Sequence, residues 1–211
     1  MCFSAQASFV AGIGLIGLGT FSVRRVRNRG ECLYAWIPLL FGAQQLVEGA
    51  LWLTFPNHAP NLSKWLTYLF LLFSNVLWPI YVPLAVLALE SIKWRRRVIV
   101  AMASLGAAVG VYLLGILVFH PVTTCVDGQH ILYDLNNPYE QTTILLYVIV
   151  TCISLLFSSH RRVVAFGVAA FISEVVAYTF YTTWFISVWC FFAAVLSMIV
   201  LWQFMGRRVM D

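Results

Sequence analysis

The chain has 211 residues, of which 62% are hydrophobic and only 10% are charged, and its mean hydropathy is +0.88. A water-soluble domain is about half apolar and about a quarter charged, so this composition excludes one and indicates an integral membrane domain over residues 1–211. The net charge of +5 does not indicate binding to nucleic acid. The basic residues form short clusters between apolar runs, where membrane topology and anionic lipid headgroups account for them.

Seven apolar runs predict seven membrane-spanning helices, since a helix needs about 20 residues to cross the hydrocarbon core. The second run ends at the breaker-rich segment 56–61, and the third ends before the basic cluster at 93–97. The fifth run is short, and the turn at 182–184 separates the last two runs only weakly. In chain order the predicted spans are 3–23, 32–55, 65–89, 98–119, 143–157, 163–181 and 185–204.

The stretch from His120 to Thr142, between the fourth and fifth runs, is polar. It contains Pro121, Pro138 and four Asp and Asn residues, all of which favour turns. We expect it to connect two helices. The predicted fold class is therefore an all-α bundle of seven transmembrane helices.

The Lys and Arg residues predict the orientation, because cytoplasmic loops of membrane proteins collect positive charge. With the N-terminus outside, twelve of the thirteen fall on the cytoplasmic side, at 24–29, 93–97, 161–162 and 207–208, and only Lys64 lies outside. The opposite orientation would place those twelve residues outside. We therefore expect an outside N-terminus and a cytoplasmic C-terminus.

Gly12, Gly14 and Gly17 match the glycine spacing of a dinucleotide-binding loop. That motif requires a preceding strand, whereas these glycines lie inside an apolar run. We interpret them, like Gly106 and Gly110 in the fourth run, as small residues that allow helices to approach closely.

Two of the eight acidic residues, Glu48 and Glu174, lie within predicted spans. An ionisable side chain in the bilayer is costly and is a functional-site hypothesis by default. Both spans run outward, and each carboxyl lies about 10 Å below the outer end of its helix at 1.5 Å per residue. Two carboxylates there would repel, so at least one is expected to carry a proton unless a cation lies between them.

Other polar side chains fall near the same depth. Asn75, for example, is just before the Trp78-Pro79 pair, which is expected to kink the third helix. One hypothesis is an outward-facing pocket that binds a proton, a metal ion or a small cationic solute, for transport or binding. The alternative is that the two glutamates only hold the helices together through hydrogen bonds. The predicted ligand-binding residues are Glu48, Glu174, Gln44, Gln45, Gln6, Asn75 and Tyr178.

Three of the five cysteines, Cys2, Cys125 and Cys190, fall on the predicted outer half. Two of them could form a disulfide there, which would leave one over. Alternatively, Cys2 and Cys190 could join Glu48 as ligands of zinc or copper. A second function class is a membrane enzyme in which one of these thiols is the nucleophile and a glutamate is the acid or base. A third is a sensor or structural protein without chemistry, and no catalytic residue is assigned.

The sequence Met-Cys-Phe-Ser-Ala-Gln-Ala-Ser-Phe at residues 1–9, together with Gln45-x-x-Glu48-Gly49-x-x-Trp52, resembles a family of small bacterial membrane proteins with no assigned function. The resemblance covers the whole chain. It implies a multi-pass protein of the bacterial inner membrane. The expected partners are the lipid bilayer, from the apolar runs, and a small solute or ion, from the predicted pocket. The resemblance draws attention to Cys2 and Glu48 but implies no activity.

Overall fold

The computed structural model describes residues 4–57, 59–128 and 130–205, which form seven helices and a two-stranded antiparallel hairpin. Each predicted apolar run overlaps one of the helices. The hairpin lies between the fourth and fifth helices, and one short 3-10 turn, Thr182–Trp184, precedes the last helix. The helices are α1 Ala5–Arg24, α2 Arg29–Thr54, α3 Pro60–Leu89, α4 Lys93–Phe119, α5 Glu140–Leu156, α6 Arg161–Phe180 and α7 Phe185–Phe204.

Five of these helices, α1, α3, α4, α6 and α7, are long and apolar enough to cross a membrane. Helix α5 is shorter and reaches only about 26 Å at 1.5 Å per residue, against a hydrocarbon core of about 30 Å. Helix α2 carries charged residues in its first turn and the polar residues Gln44, Gln45 and Glu48 further along. The described helices therefore fit a multi-pass membrane protein, with α2 and α5 less apolar or shorter than the rest.

Helices α1 and α2 form the most extensive helix pair. Each begins at a capping side chain: Ser4 Oγ accepts a hydrogen bond from the Ala7 N–H at 3.2 Å, and Asn28 Oδ1 accepts one from the Glu31 N–H at 3.0 Å. These caps satisfy N–H groups that have no partner within the helix. The start of each helix is thus fixed by its own sequence.

The glycines of α1 do not all serve the same purpose. A Cβ atom at Gly12 would lie 2.8 Å from the Leu46 side chain on α2, so close packing at this position is confirmed. A Cβ atom at Gly14 or Gly17 would meet nothing within 4 Å, and the prediction is wrong for these two. They lie on the side of α1 that faces away from α2.

Helix α3 contains a π segment, Leu72–Leu77, directly before Trp78 and Pro79. A proline inside a helix removes one backbone hydrogen bond and crowds the preceding turn, and a π segment is one way to absorb that disturbance. Helix α4 packs against this part of α3. A Cβ atom at Gly106 of α4 would collide with the Pro79 carbonyl group, and one at Gly110 would lie 2.8 Å from Ile80. Close approach at both glycines of α4 is therefore confirmed.

The hairpin corrects the prediction of an all-α fold. Strands β1 Val122–Asp127 and β2 His130–Leu135 pair antiparallel, with Val122 opposite Leu135. Gly128 opens the turn with φ of 61°, a conformation that favours glycine. Ile131 and Tyr133 are buried against α2, α3 and α4, and Tyr133 stacks on Phe70 with ring centres 4.8 Å apart. The apolar face of β2 thus holds the hairpin on the helices.

Candidate functional site

A cavity of about 400 Å³ opens beside the hairpin and extends into the bundle. It is bounded by β2, by the π segment of α3, and by α4, α5, α6 and α7. Its volume lies within the range of about 300–1,000 Å³ that small-molecule sites occupy. The cavity is therefore large enough for a small ligand.

Glu48 lies directly behind the buried end of the cavity, and its side chain is 0% exposed. The Ser187 hydroxyl, which lines the cavity, donates a hydrogen bond to Glu48 Oε1 at 2.7 Å. Gln45 Nε2 donates to the other carboxyl oxygen at 3.4 Å. Ser187 is thus a direct polar link between the cavity and a carboxyl group that is buried behind its wall.

Gln44 and Cys190 extend this polar group. Gln44 Oε1 accepts a hydrogen bond from the Trp78 indole N–H at 2.7 Å. Cys190 lines the cavity and lies close to Glu48. Gln45 Oε1 is buried without a hydrogen-bond partner among the described residues, and so leaves one acceptor unused. We refer to this group as the Glu48 cluster, which consists of Gln44, Gln45, Glu48, Trp78, Ser187 and Cys190.

The π segment supplies another part of the cavity wall through its backbone. In an α-helix the Ser74 carbonyl would accept from the N–H of residue 78, but the Trp78 N–H bonds to the Phe73 carbonyl instead. The following residue is Pro79, which has no N–H. The Ser74 carbonyl therefore lacks a backbone donor, and the Tyr147 hydroxyl of α5 donates a hydrogen bond to it. The irregularity in α3 thereby fixes the position of a ring that lines the cavity.

Four aromatic side chains follow one another along the cavity wall. The Tyr147 and Trp189 rings meet edge to face, with centres 5.4 Å apart and planes at 73°. Trp189 is nearly parallel to Phe185 at 5.7 Å, and Phe185 meets Tyr178 at 85° and 5.8 Å. All four line the cavity, from the buried Tyr147 to the exposed Tyr178. We refer to these four residues as the aromatic wall.

The rim of the cavity carries negative charge. Asp134 on β2 and Glu140 at the start of α5 both line the cavity and are exposed to solvent. No Lys, Arg or His side chain lines the cavity in the described part of the chain. The rim potential is therefore expected to attract cations and repel anions.

The hairpin is attached to the start of α7 next to this rim. The Trp184 indole N–H donates a hydrogen bond to Asp127 Oδ2 at 3.2 Å, and the His130 ring stacks on Trp184 with centres 4.7 Å apart. Burial lowers the pKa of His130, while the nearby Asp127 carboxylate acts in the opposite direction. A neutral imidazole is thereby favoured in the contact that holds the turn of the hairpin.

The structure separates the predicted ligand-binding residues into two sets. Gln44, Gln45 and Glu48 come together in the Glu48 cluster, and Asn75 and Tyr178 line the adjoining cavity. The others do not meet them. Glu174 is buried beside Cys152 of α5 and does not line the cavity, and Gln6 is exposed on α1.

The predicted zinc or copper site has no described set of ligands. Within residues 4–57, 59–128 and 130–205, no group of three or more His, Cys, Asp or Glu side chains could hold a metal ion. Glu48 and Cys190 do lie close together, but Cys2, the third predicted ligand, lies outside the described residues. Cys125 and Cys190 are free thiols, one exposed on the hairpin and one buried, so they do not form a disulfide with each other.

Two residues of the site, Ser187 and Tyr147, were not singled out from the sequence. Ser187 lies three residues before Cys190 on the same helical face, a spacing that could have drawn attention to it. Its partner Glu48 is 139 positions away, and no local pattern indicates that pairing. Tyr147 gave no signal at all, because its role depends on a free carbonyl in another helix.

The comparisons with known proteins assign a family but no activity. The chain belongs to a family described as "Family of unknown function (DUF6629)", whose model matches residues 1–211. No curated protein and no solved structure matches the chain.

Proposed function

We propose that this protein binds a small organic cation in the cavity beside the hairpin, with the Glu48 cluster behind the buried end of the site. The observation that carries the proposal is the hydrogen bond from the hydroxyl of Ser187, a cavity-lining residue, to Glu48 at 2.7 Å. It connects a solvent-accessible space to a fully buried carboxyl group. A buried acidic group next to a cavity is a recognised indicator of a functional site in a membrane protein.

The charges around the cavity support a positively charged ligand. Asp134 and Glu140 are at the rim, Glu48 is behind the buried end, and no basic side chain lines the described cavity. A ligand that entered would therefore meet carboxyl groups at both ends. Inside the bundle, where the effective dielectric constant is lower than in water, such attraction is stronger than at a surface.

The lining favours an organic cation over a metal ion. Six of the described lining side chains are aromatic, namely Tyr133, Tyr147, Tyr178, Trp184, Phe185 and Trp189. Metal ions such as Ca²⁺ or Zn²⁺ require several oxygen, nitrogen or sulfur ligands, and the described residues contain no group of three or more His, Cys, Asp or Glu side chains that could supply them. Aromatic rings, in contrast, attract cations through their faces without direct ligation.

In the proposed arrangement all seven helices cross a bacterial inner membrane, and the hairpin and cavity face outward. The distribution of Lys and Arg supports this orientation, because eight of them fall in or beside the loops before α2 and before α4. The ligand would then reach the cavity from outside the cell. Uptake and sensing would both begin with this binding step.

A charge-matched pair of probes tests the proposal. Choline and 3,3-dimethylbutan-1-ol have the same shape, but only choline is positively charged. We expect radiolabelled choline to bind the purified protein in nanodiscs, and the uncharged isostere to compete at least about tenfold more weakly, because one cation–carboxylate interaction is lost. Equal competition by the two probes would contradict a cation site.

A pair of variants tests the part that Glu48 plays. Both Glu48 and Glu174 are buried carboxyls in the helical bundle, but only Glu48 is hydrogen-bonded to a residue of the cavity. We expect Glu48→Gln to weaken choline binding about tenfold and Glu174→Gln to leave it unchanged. Equal losses in the two variants would mean that they act through the general stability of the bundle.

A further inference from the structure

We propose that the cavity selects methylated ammonium groups, in particular a quaternary ammonium, through the aromatic wall of Tyr147, Trp189, Phe185 and Tyr178. This inference rests on the proposed binding of an organic cation and names the class of cation. Two observations carry it: the angles between the rings of the wall, and the hydrogen bonds that polar groups at the buried end of the cavity already make.

Neighbouring rings of the aromatic wall meet edge to face in two places. Trp189 and Phe185 are nearly parallel, at 7°, while Tyr147 meets Trp189 at 73° and Tyr178 meets Phe185 at 85°. Each near-perpendicular pair forms a corner of aromatic surface along the cavity. Corners of this kind allow a rounded cation to contact two rings at once, which is how aromatic cages bind quaternary ammonium groups.

The polar groups at the buried end favour a cation that carries no N–H donors. A primary ammonium has three N–H donors, and each needs an acceptor when it leaves water. The Ser74 carbonyl already accepts a hydrogen bond from the Tyr147 hydroxyl, and Asn75 Oδ1 accepts one from the Ser74 hydroxyl at 3.1 Å. The Ser187 hydroxyl donates its proton to Glu48. Each of these oxygens keeps a lone pair, but a primary ammonium must find three acceptors in suitable directions at this end of the cavity, whereas a quaternary ammonium needs none.

The position of the carboxyl groups also suits a methylated cation. Glu48 lies behind Ser187 and is fully buried, and Asp134 and Glu140 stand at the rim. A ligand in the middle of the cavity would therefore contact the aromatic rings directly and interact with the carboxyl groups only at longer range. Methylated ammonium groups, which are weakly hydrated and spread their charge over several carbons, are suited to this kind of recognition.

Choline and ethanolamine test the inference, because they differ only by the three methyl groups on nitrogen. With the full-length protein in nanodiscs, we expect choline to bind at least about fivefold more tightly than ethanolamine. Phe185→Leu and Tyr178→Leu should weaken choline binding about fivefold and leave ethanolamine binding nearly unchanged. Phe180→Leu is the matched control, because Phe180 is exposed on α6 and does not line the cavity.

The possible results separate this inference from the proposed function. Ethanolamine binding as tightly as choline, or equal losses of both ligands in the ring variants, would overturn the selection of methylated cations while cation binding itself stood. Failure of both cations to bind better than 3,3-dimethylbutan-1-ol would overturn both proposals. Because Tyr178 is already exposed, Tyr178→Leu keeps the test valid even if Phe185→Leu lowers the yield of folded protein.

Discussion

Glu90 joins two loops at the end of the bundle opposite the hairpin. Its side chain is only 3% exposed, and its two carboxylate oxygens accept hydrogen bonds from the Ile92 N–H at 2.8 Å and from the Ser159 N–H at 2.6 Å. Burial by itself would raise the pKa of Glu90, but these hydrogen bonds outweigh it and lower the pKa. Arg95 closes the same junction by donating to the Ser158 carbonyl at 2.6 Å.

We predict that Glu90→Gln lowers stability by about 1–3 kcal/mol at neutral pH, because it removes charge-assisted hydrogen bonds to backbone N–H groups. Since the pKa of Glu90 is lower in the folded protein than in the unfolded chain, its contribution is present above the unfolded pKa. It is lost as the pH falls through the folded value. Thermal unfolding in detergent should therefore show a lower melting temperature for the variant at neutral pH and a shrinking difference in acid.

Glu140→Gln serves as the control for this experiment, because Glu140 is exposed at the rim of the cavity. Because Glu140 is an exposed carboxylate in the first turn of α5, its replacement should cost less than about 1 kcal/mol at neutral pH. A Glu90→Gln protein as stable as the wild type at neutral pH would contradict the importance of this junction.

At the scale of single residues, the sequence predicted which polar side chains are unusual but not how they are paired. Glu48 and Gln45 could be recognised because polar groups are costly inside an apolar helix. Glu174 is also a polar residue in an apolar helix and was predicted at the same depth as Glu48, yet it lies near Cys152 and does not line the cavity. Depth along a helix can be counted from the sequence, whereas the direction in which a helix faces depends on its packing partners.

Helices α3 and α4 come into direct backbone contact at Gly106. A Cβ atom at this position would overlap the Pro79 carbonyl group, whereas one at Gly115, on the same helix, would meet nothing within 4 Å. The two glycines thus offer a matched comparison of one substitution in two environments.

We predict that Gly106→Ala destabilises the protein by about 1–3 kcal/mol, because the added methyl group forces α3 and α4 apart. Gly115→Ala should be neutral or stabilising by up to about 1 kcal/mol, because alanine is the better helix former. Melting temperatures of the two variants in the same detergent measure the difference. Equal effects would mean that the contact at Gly106 adjusts without cost.

At the scale of elements, hydropathy located the helices because lipid requires long apolar segments. It did not predict the hairpin, although β-branched residues are frequent in β1 and Gly128 follows Asp127. The turn-favouring residues around the strands indicated a connecting loop instead. The strands are also defined by contacts that are distant in sequence, such as the stacking of Tyr133 on Phe70.

For the molecule as a whole, the orientation in the membrane can be tested through two exposed positions at opposite ends of the bundle. Cys125 is a free thiol on the hairpin, and Ser91 is exposed in the loop between α3 and α4. In a protein whose other cysteines are replaced by serine, we predict that a membrane-impermeant maleimide labels Cys125 in intact cells. A cysteine introduced as Ser91→Cys should react only after the membrane is permeabilised.

The positive-inside distribution of Lys and Arg is the physical reason for this expectation. Labelling of Ser91→Cys in intact cells, with protection of Cys125, would reverse the orientation. Labelling of both positions from outside would contradict an odd number of crossings between them, since α4 alone separates the loop from the hairpin. Seven crossings stay a prediction, because five helices are long and apolar enough by themselves, α5 is shorter, and the polar residues of the site lower the hydropathy of α2.

The π segment of α3 limits where residues can be inserted into or deleted from the chain. Removing one residue from Leu72–Leu77 would return the helix to a regular α-helix and rotate one side of it relative to the other by about 100°. If the part of α3 from Trp78 onward kept its contact with Gln44, this rotation would turn Ser74 and Asn75 away from the cavity. Insertions and deletions are therefore expected to be excluded from this stretch in members of the family, even where single substitutions are accepted.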